Sequence, residues 1–374
     1  MASDRAALAG MKEIVRRRLR TQRVSATTFT RPEQVVAWLG ATQAQDYLGA
    51  LWAIGLRTTD AHERDVERAL DERRIVRSWP MRGTLHFLAA ADARWMIELL
   101  APRAAASAAK RLRDLGIDDP VLSRARRALV EELEGGRQLT RPAAYRVLDR
   151  ARIPAEGQRG LHVLWRLAHE GLVCFGPRQG KQQTFVLLEE WLPAARRLPR
   201  DEALAELARR YFTGHGPATE QDFAWWSGMT LTDARRAIDL AGKAVEQELI
   251  AGQRYWFGPS SARAESAPLD SRAHVLPAFD ELLVGYADRS AAIDPAHASR
   301  VGAFEILGPV VILEGRLVAT WKRRLAGGKV HTSVAPLAAL SKGKMAAVAS
   351  AFGRYAGFLG LEHVVERVLT RARR

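Results

Sequence analysis

The stretch Thr30-Arg31-Pro32-Glu33-Gln34-Val35-Val36-Ala37-Trp38-Leu39-Gly40 returns, altered, at two later points of the chain. Thr140-Arg141-Pro142 begins a second copy 110 residues on, followed by AAYRVLDRA. Gly216-Pro217-Ala218-Thr219 opens a looser third, followed by EQDFAWWSG. A small or hydroxyl residue beside proline marks a helix start, because the fixed φ of proline suits the first turn and its missing N–H has no partner there to lose. A second amphipathic helix follows each copy: HERDVERALDERR, RGLHVLWRLAHEG and LTDARRAIDLAG. Two short β-forming runs then follow each: IVRSWPM (75–81) with GTLHFL (83–88), LVCFG (172–176) with TFVLLEEW (184–191), and AVEQELI (244–250) with QRYWFG (253–258). Helix, helix, hairpin is the order of a winged helix-turn-helix, although such units also recur in other folds. The fold class expected is mainly α with β wings, an α+β chain of three tandem winged-helix units.

After the third unit the texture changes. SSARAESAPLDSRAH (260–274) is small and polar and reads as a linker. VGAFEILGPVVILEGRLVATWKRR (301–324) reads as strands with a turn at Glu314-Gly315, and AAVASAFGRYAGFLG (346–360) as a closing helix. The expected units are residues 1–105, 106–198, 199–265 and a β-rich C-terminal domain over 266–374.

The chain of 374 residues carries 57 Lys plus Arg against 42 Asp plus Glu, a net charge of +15. Only eight of the basic residues are lysine. A coding bias toward arginine explains Arg in place of Lys but not the excess of positive charge. That excess points to a polyanion, since the planar guanidinium holds phosphate in a fork. The single cysteine, Cys174, excludes a disulfide framework and a Cys-based metal site, and a buried structural thiol is expected of it. The charged N-terminus lacks a signal-peptide core, and no apolar run reaches the roughly 18 residues of a membrane span. A cytoplasmic, nucleoid-associated, monomeric protein without cofactor or metal is expected.

Motifs for phosphate loops, zinc proteases and serine hydrolases are absent. His215 reads as a turn residue and His86 as a half-buried strand residue. Asp280 and Glu281 are adjacent, so on a strand they face opposite sides and on a helix they diverge by about 100°; they read as structural.

Thr42-Gln43-Ala44-Gln45-Asp46-Tyr47-Leu48 holds two amides one residue apart. Ala44, Tyr47, Leu48, Leu51 and Trp52 form a helical stripe. Thr42 and Gln45 then fit a capping box, with Gln43 in an exposed first turn. In a regular helix Gln43 and Gln45 would point about 200° apart. They can converge on one atom only where the backbone is irregular or extended.

Several segments in order resemble the AlkZ/YcaQ-type winged-helix DNA glycosylases of bacteria. They are Gln43-Ala44-Gln45, Arg82-Gly83-Thr84-Leu85-His86, Tyr211-Phe212-x-x-His215-Gly216-Pro217-Ala218-Thr219 and Trp225-Trp226-Ser227-Gly228, then Leu276-Pro277-Ala278-Phe279-Asp280-Glu281, Gly285-Tyr286, Gly315-Arg316 and Thr320-Trp321. The resemblance covers most of the chain. It implies a C-shaped arrangement of three winged helices with a C-terminal β-barrel-like domain around a DNA channel. It also implies catalysis by Gln43 and Gln45, release of bulky N7-alkylated purines, unhooking of interstrand crosslinks, and a role in self-resistance to a DNA-alkylating natural product. The partner is then double-stranded DNA carrying alkylated purines. Arg178, Gln179, Lys181, Gln182 and Gln183 form a basic hairpin tip suited to probing a groove, although a plain solvated turn has the same composition. Arg77, Arg82 and His86 on the first wing are further DNA-binding candidates, as is the Arg16-Arg17-Arg18 run, which also fits a solvated helix face. The competing reading is a non-enzymatic winged-helix regulator, which would ordinarily need a dimer.

Overall fold

The computed structural model describes residues 2–259, 271–294, 296–297 and 305–368. The chain is a mixed α/β protein. Helix α1 (Ala2–Thr21) is followed by α2 (Pro32–Leu39), strand β1 (Ala41–Gln43), α3 (Tyr47–Gly55), α4 (Glu63–Asp71) and the hairpin β2 (Ile75–Met81) to β3 (Thr84–Ala89). Helices α5 (Ala93–Ser107) and α6 (Ala109–Asp114) lead to α7 (Asp119–Leu133), β4 (Leu139–Thr140), α8 (Arg141–Arg150), α9 (Arg159–His169) and the hairpin β5 (Val173–Gln179) to β6 (Gln182–Leu187). A helical turn α10 (Leu188–Trp191) precedes α11 (Arg200–His215), α12 (Glu220–Ser227), α13 (Leu231–Ala241) and the hairpin β7 (Glu246–Ile250) to β8 (Gln253–Phe257).

The same order, helix–extended segment–helix–helix–hairpin, thus occurs three times. In the third round the extended segment is a single bridge from Ala218 to Trp256. The Thr-Arg-Pro copies do not keep phase with it. The first opens the leading helix α2, while the second and third copies lead into the middle helices α8 and α12. A start signal reports that a helix begins, not which helix of a unit it is. The caps themselves form as expected in two copies: Thr140 Oγ1 accepts from Ala143 N at 3.4 Å, and Thr219 Oγ1 accepts from Asp222 N at 3.0 Å. In the first copy Gln34 does this work from inside the helix, its Oε1 accepting from the Arg31 N–H at 3.1 Å. The run read as one strand over 184–191 ends at Leu187, where the chain turns into α10. The expected junction at 105/106 falls inside α5.

The first two hairpins join into one six-stranded sheet of order β1-β3-β2-β5-β6-β4. The seam between them is narrow, with Arg77 opposite Phe175. Cys174 is fully buried beside this seam, and burial pushes its thiol up.

The C-terminal part does not close into a barrel. Strands β9 (Ala273–Leu276), β10 (Val310–Leu313), β11 (Arg316–Ala326), β12 (Lys329–Pro336) and β13 (Glu362–Val368) make an open sheet of order β13-β12-β11-β10-β9. Its outer strands have no pairing with each other among the described residues. The turn at Glu314-Gly315 is present, both residues taking positive φ. A short helix α14 (Glu281–Val284) follows β9. Helix α15 (Lys342–Leu359) is not the last element, because β13 follows it and pairs parallel to β12. Residues 260–270 of the expected linker and residues 301–304 lie outside the described residues, and Ala273 and His274 belong to β9.

This sheet and α15 pack directly onto α3. Trp52 packs with tilted rings 5.1 Å from Tyr355 and 5.2 Å from Phe358, and its indole donates to the Val275 carbonyl at 2.7 Å. Gly55 permits the approach, since a Cβ there would lie 2.2 Å from the Phe358 ring. Below this core Arg57 and Asp280, both essentially unexposed, form a two-pronged ion pair at 2.8 Å. The arginines of α1 also turn inward. Arg17 pairs with Glu248 at 2.7 Å and Arg18 donates to the Pro217 carbonyl at 2.9 Å, so these two tie α1 to the third unit, while Arg16 stays half-buried beside Glu13 of the same helix. No described helix is long and apolar enough to cross a membrane.

Candidate active site

The local pattern over Thr42–Gln45 suggests a capping box, but tertiary pairing overrides it. Ala41, Thr42 and Gln43 pair antiparallel with Leu88, Phe87 and His86 of β3. The helix begins only at Tyr47, with Asp46 as its N-cap residue. The chain is therefore extended through Gln43 and bends at Gln45-Asp46. Residues two apart on an extended chain lie on one side of it. Ala44, between the amides, is fully buried in the apolar core beneath. Gln43 is buried and its Oε1 has no hydrogen-bond partner within the protein. Gln45 is exposed, and its Oε1 accepts from the Leu85 N–H at 3.3 Å.

The backbone of the motif is fixed from three directions. Ala44 N donates to the Leu85 carbonyl at 2.7 Å. The Ala44 carbonyl accepts from Arg77 Nη2 at 2.6 Å and from Arg77 Nε at 3.2 Å. Gln43 N donates to Glu281 Oε1 at 2.9 Å. Asp46, next in the chain, is within 3.2 Å of Arg323 on β11.

Glu281 was not legible as part of this site. It is buried, and its second oxygen accepts from Trp226 Nε1 at 3.0 Å and from His215 Nε2 at 3.3 Å. Burial alone would raise its carboxyl, but His215, and then His86 and Arg82, outweigh burial and hold it below the usual carboxylate range. His215 is not a turn residue; it ends α11 inside the protein. The missed signal was Asp280-Glu281 within an otherwise apolar segment, where two carboxylates cannot be buried without partners.

The candidates on the first hairpin lie wholly or partly inside the protein. Arg77 is buried, and burial first of all draws its guanidinium down to about 10. His86 is fully buried rather than half-buried, with Nδ1 2.9 Å from the Thr84 carbonyl and Nε2 3.3 Å from Arg82 Nη2. A carbonyl only accepts, so Nδ1 carries the proton and Nε2 accepts from Arg82. Burial, then the Arg82 charge, lowers the ring to about 3. Arg82 is itself half-buried at the wing turn, where it and Gly83 take positive φ.

The second hairpin divides. Arg178 is half-buried, donating to Glu67 at 2.8 Å with its guanidinium 4.8 Å from the Tyr47 ring. Gln179, Lys181 and Gln182 are exposed at the tip around Gly180. Between the two hairpins runs a cleft of about 660 Å³. Gln45, Lys181, Gln182 and Gln183 line it, together with the rings of Trp79 and Trp165. Across Arg77 and Phe175 it adjoins a second hollow of about 320 Å³ bordered by Tyr47, Glu63 and Glu67. Burial and then Glu67 push the Tyr47 hydroxyl up to about 12, so it stays protonated. No cluster of metal-ligating side chains occurs among the described residues.

A family model described as "DNA glycosylase AlkZ-like" matches residues 36–358. The "Interstrand DNA cross-link repair glycosylase" of Streptomyces sahachiroi is 27% identical over 336 residues, covering 84% of this chain and 88% of that protein. The solved structure of Streptomyces sahachiroi DNA glycosylase AlkZ superposes with a TM-score of 0.79 at 24% identity, over 96% of this chain and 99% of that one, which is a likeness of fold. With the matched region spanning both amides, the cleft beside them and Glu281 behind them, the chain belongs to the AlkZ-like DNA glycosylase family.

Proposed function

We propose that this chain hydrolyses the N-glycosidic bond of N7-alkylated purines in double-stranded DNA and unhooks interstrand crosslinks, with Gln43 and Gln45 as its catalytic residues. The reading is carried by one observation: Gln43, at the end of β1, and Gln45, at the bend that follows, flank a buried alanine, and the exposed Gln45 opens into a cleft. Alkylation at N7 places positive charge on the purine, so the base leaves with little acid assistance. What remains is to place a water and to stabilise an oxocarbenium-like sugar. An amide oxygen accepts a hydrogen bond from water and carries partial negative charge, although it is too weak a base to take a proton outright. The Leu85 N–H occupies one lone-pair direction of Gln45 Oε1 and thereby aims the other at water. The Gln43 oxygen is buried and unpaired within the protein, and it is assigned the role of stabilising the developing cation. A base tied covalently to the opposite strand resists flipping, so it is attacked within the stack.

The three helix–extended segment–helix–helix–hairpin rounds are read as winged helices lining one DNA channel, in a protein that acts as a monomer in the cytoplasm. Gln179, Lys181, Gln182 and Gln183 probe the groove, and the Arg178 guanidinium, shared with Glu67, braces the hairpin from behind. Arg77, Arg82 and His86 hold the motif in place rather than touching DNA. Self-resistance to an alkylating natural product is the physiological setting proposed. The test is single-turnover release of an N7-alkylguanine from duplex DNA, with unhooking of a crosslinked duplex followed on denaturing gels. Release by the wild-type chain and its loss in Gln45→Ala support the reading; duplex binding without release leaves a DNA-binding protein that is not an enzyme.

A further inference from the structure

The Glu281 carboxylate is bound by three donors, none of them an arginine or a lysine. The Gln43 backbone N–H serves one oxygen, and the Trp226 indole and the His215 ring serve the other. The cations nearby are committed elsewhere: Arg57 to Asp280, and Arg82 toward the His86 ring. Adjacent Asp280 has an arginine partner, and Glu281 has none in contact. A carboxylate that is 1% exposed and has no arginine or lysine in contact is costly to keep ionised. Donors converge on both oxygens, and a glutamine of equal size, with a single acceptor oxygen, would turn its NH2 against one set of them.

We infer that Glu281 is a positioning residue that also acts electrostatically, fixing the Gln43 backbone and setting a full negative charge behind two neutral amides, on the side where the sugar and base become cationic. This rests on the reading of Gln43-Ala44-Gln45 as the catalytic motif. The two amides supply direction and hydrogen bonding, and the carboxylate supplies charge that amides lack. A buried carboxylate one hydrogen bond from the motif acts through a medium of low polarity, so its field reaches the site little screened. It neither touches the water nor accepts its proton.

The experiment compares wild type, Glu281→Gln, Glu281→Asp and Gln45→Ala. Three quantities are measured: single-turnover release of an N7-alkylguanine, melting temperature, and affinity for duplexes holding either a cationic pyrrolidine or a neutral tetrahydrofuran in place of the lesion nucleotide. Glu281→Gln is expected to keep its fold and its tetrahydrofuran affinity. It should slow release roughly 10- to 100-fold and lose the preference for the pyrrolidine duplex. Glu281→Asp, which keeps the charge on a shorter side chain, should retain that preference while releasing base more slowly. A folded Glu281→Gln protein with wild-type release or an unchanged pyrrolidine preference overturns the inference. Should Glu281→Gln fail to fold, Glu281→Asp carries the test, and a folded Glu281→Asp protein without the preference overturns it. Gln45→Ala separates the two levels: normal release there sinks the catalytic reading itself, whereas lost release there beside intact Glu281→Gln sinks only the role of the carboxylate.

Discussion

Replacing Gln45 with alanine distinguishes a catalytic amide from a structural one, because the two roles predict effects of different kind and size. Gln45 is exposed and makes one hydrogen bond, a 3.3 Å contact from the Leu85 N–H that water can replace. Its loss should therefore cost about 0.5–1 kcal/mol of stability. The helix α3 starts at Asp46-Tyr47, so no cap is lost with it. Removing one preorganised polar group from an active site costs about 10²–10³ in rate, or roughly 2.7–4 kcal/mol. The variant should melt within a few degrees of wild type, bind undamaged duplex normally and release N7-alkylguanine at least about a hundredfold more slowly. Gln43→Ala should slow release less, since Gln45 still holds the water. Near-normal release by a Gln45→Ala protein would refute the assignment of the motif.

Three further outcomes follow from the same geometry. Lys181→Ala combined with Gln182→Ala should leave the melting temperature unchanged, both side chains being exposed, and should weaken release from duplex DNA by roughly 1–3 kcal/mol; wild-type kinetics would make the tip a plain turn. Asp280→Ala leaves Arg57 charged and buried, and urea unfolding should show about 3–5 kcal/mol of lost stability. His86 titrates near 6.5 when unfolded and about 3 in the folded chain, so its neutral form stabilises the fold above the unfolded value. That contribution should be lost as pH falls from about 6.5 toward 3, because the unfolded chain then binds the extra proton. Unfolding measured across this range should have a shallower pH slope in His86→Gln than in wild type.

What could be read in the sequence was what short-range chemistry controls. Thr140 and Thr219 cap their helices because a hydroxyl beside a proline-bearing first turn has few other uses. The hairpins fall where β-branched and aromatic runs stand, to within a few residues. The registration of the copies was not legible, because a helix start carries no label of its place in a unit. The open C-terminal sheet was not legible either: closure depends on whether β13 and β9 meet, and no local pattern fixes that. At the candidate site the sequence offered two conformations for Gln43 and Gln45. The choice between them was made by β3, whose pairing with Ala41–Gln43 holds the chain extended against a locally acceptable capping box. The burial of Arg77 and His86 was not legible for a related reason. A basic residue on a hairpin of a basic chain looks like a phosphate contact, but here the first two hairpins join into one sheet in which Arg77 is buried opposite Phe175.

The buried charges explain how two weak amides can form a site at all. A glutamine side chain is neutral and flexible, and it cannot hold itself in place by charge pairing. Rigidity must therefore come from the backbone beneath it. Arg77 draws the Ala44 carbonyl toward one side, and Glu281 draws the Gln43 N–H toward the other. The two charged residues come from distant parts of the chain, the first hairpin and the segment after β9. Both are buried, so neither contact is weakened by solvent. The motif is thus stretched between a fixed cation and a fixed anion. Loss of either should loosen the geometry of both amides together, whereas loss of one amide should leave the other in place. Local stiffness here is a property of the assembled fold, which is why three residues read in isolation suggested an ordinary helix cap.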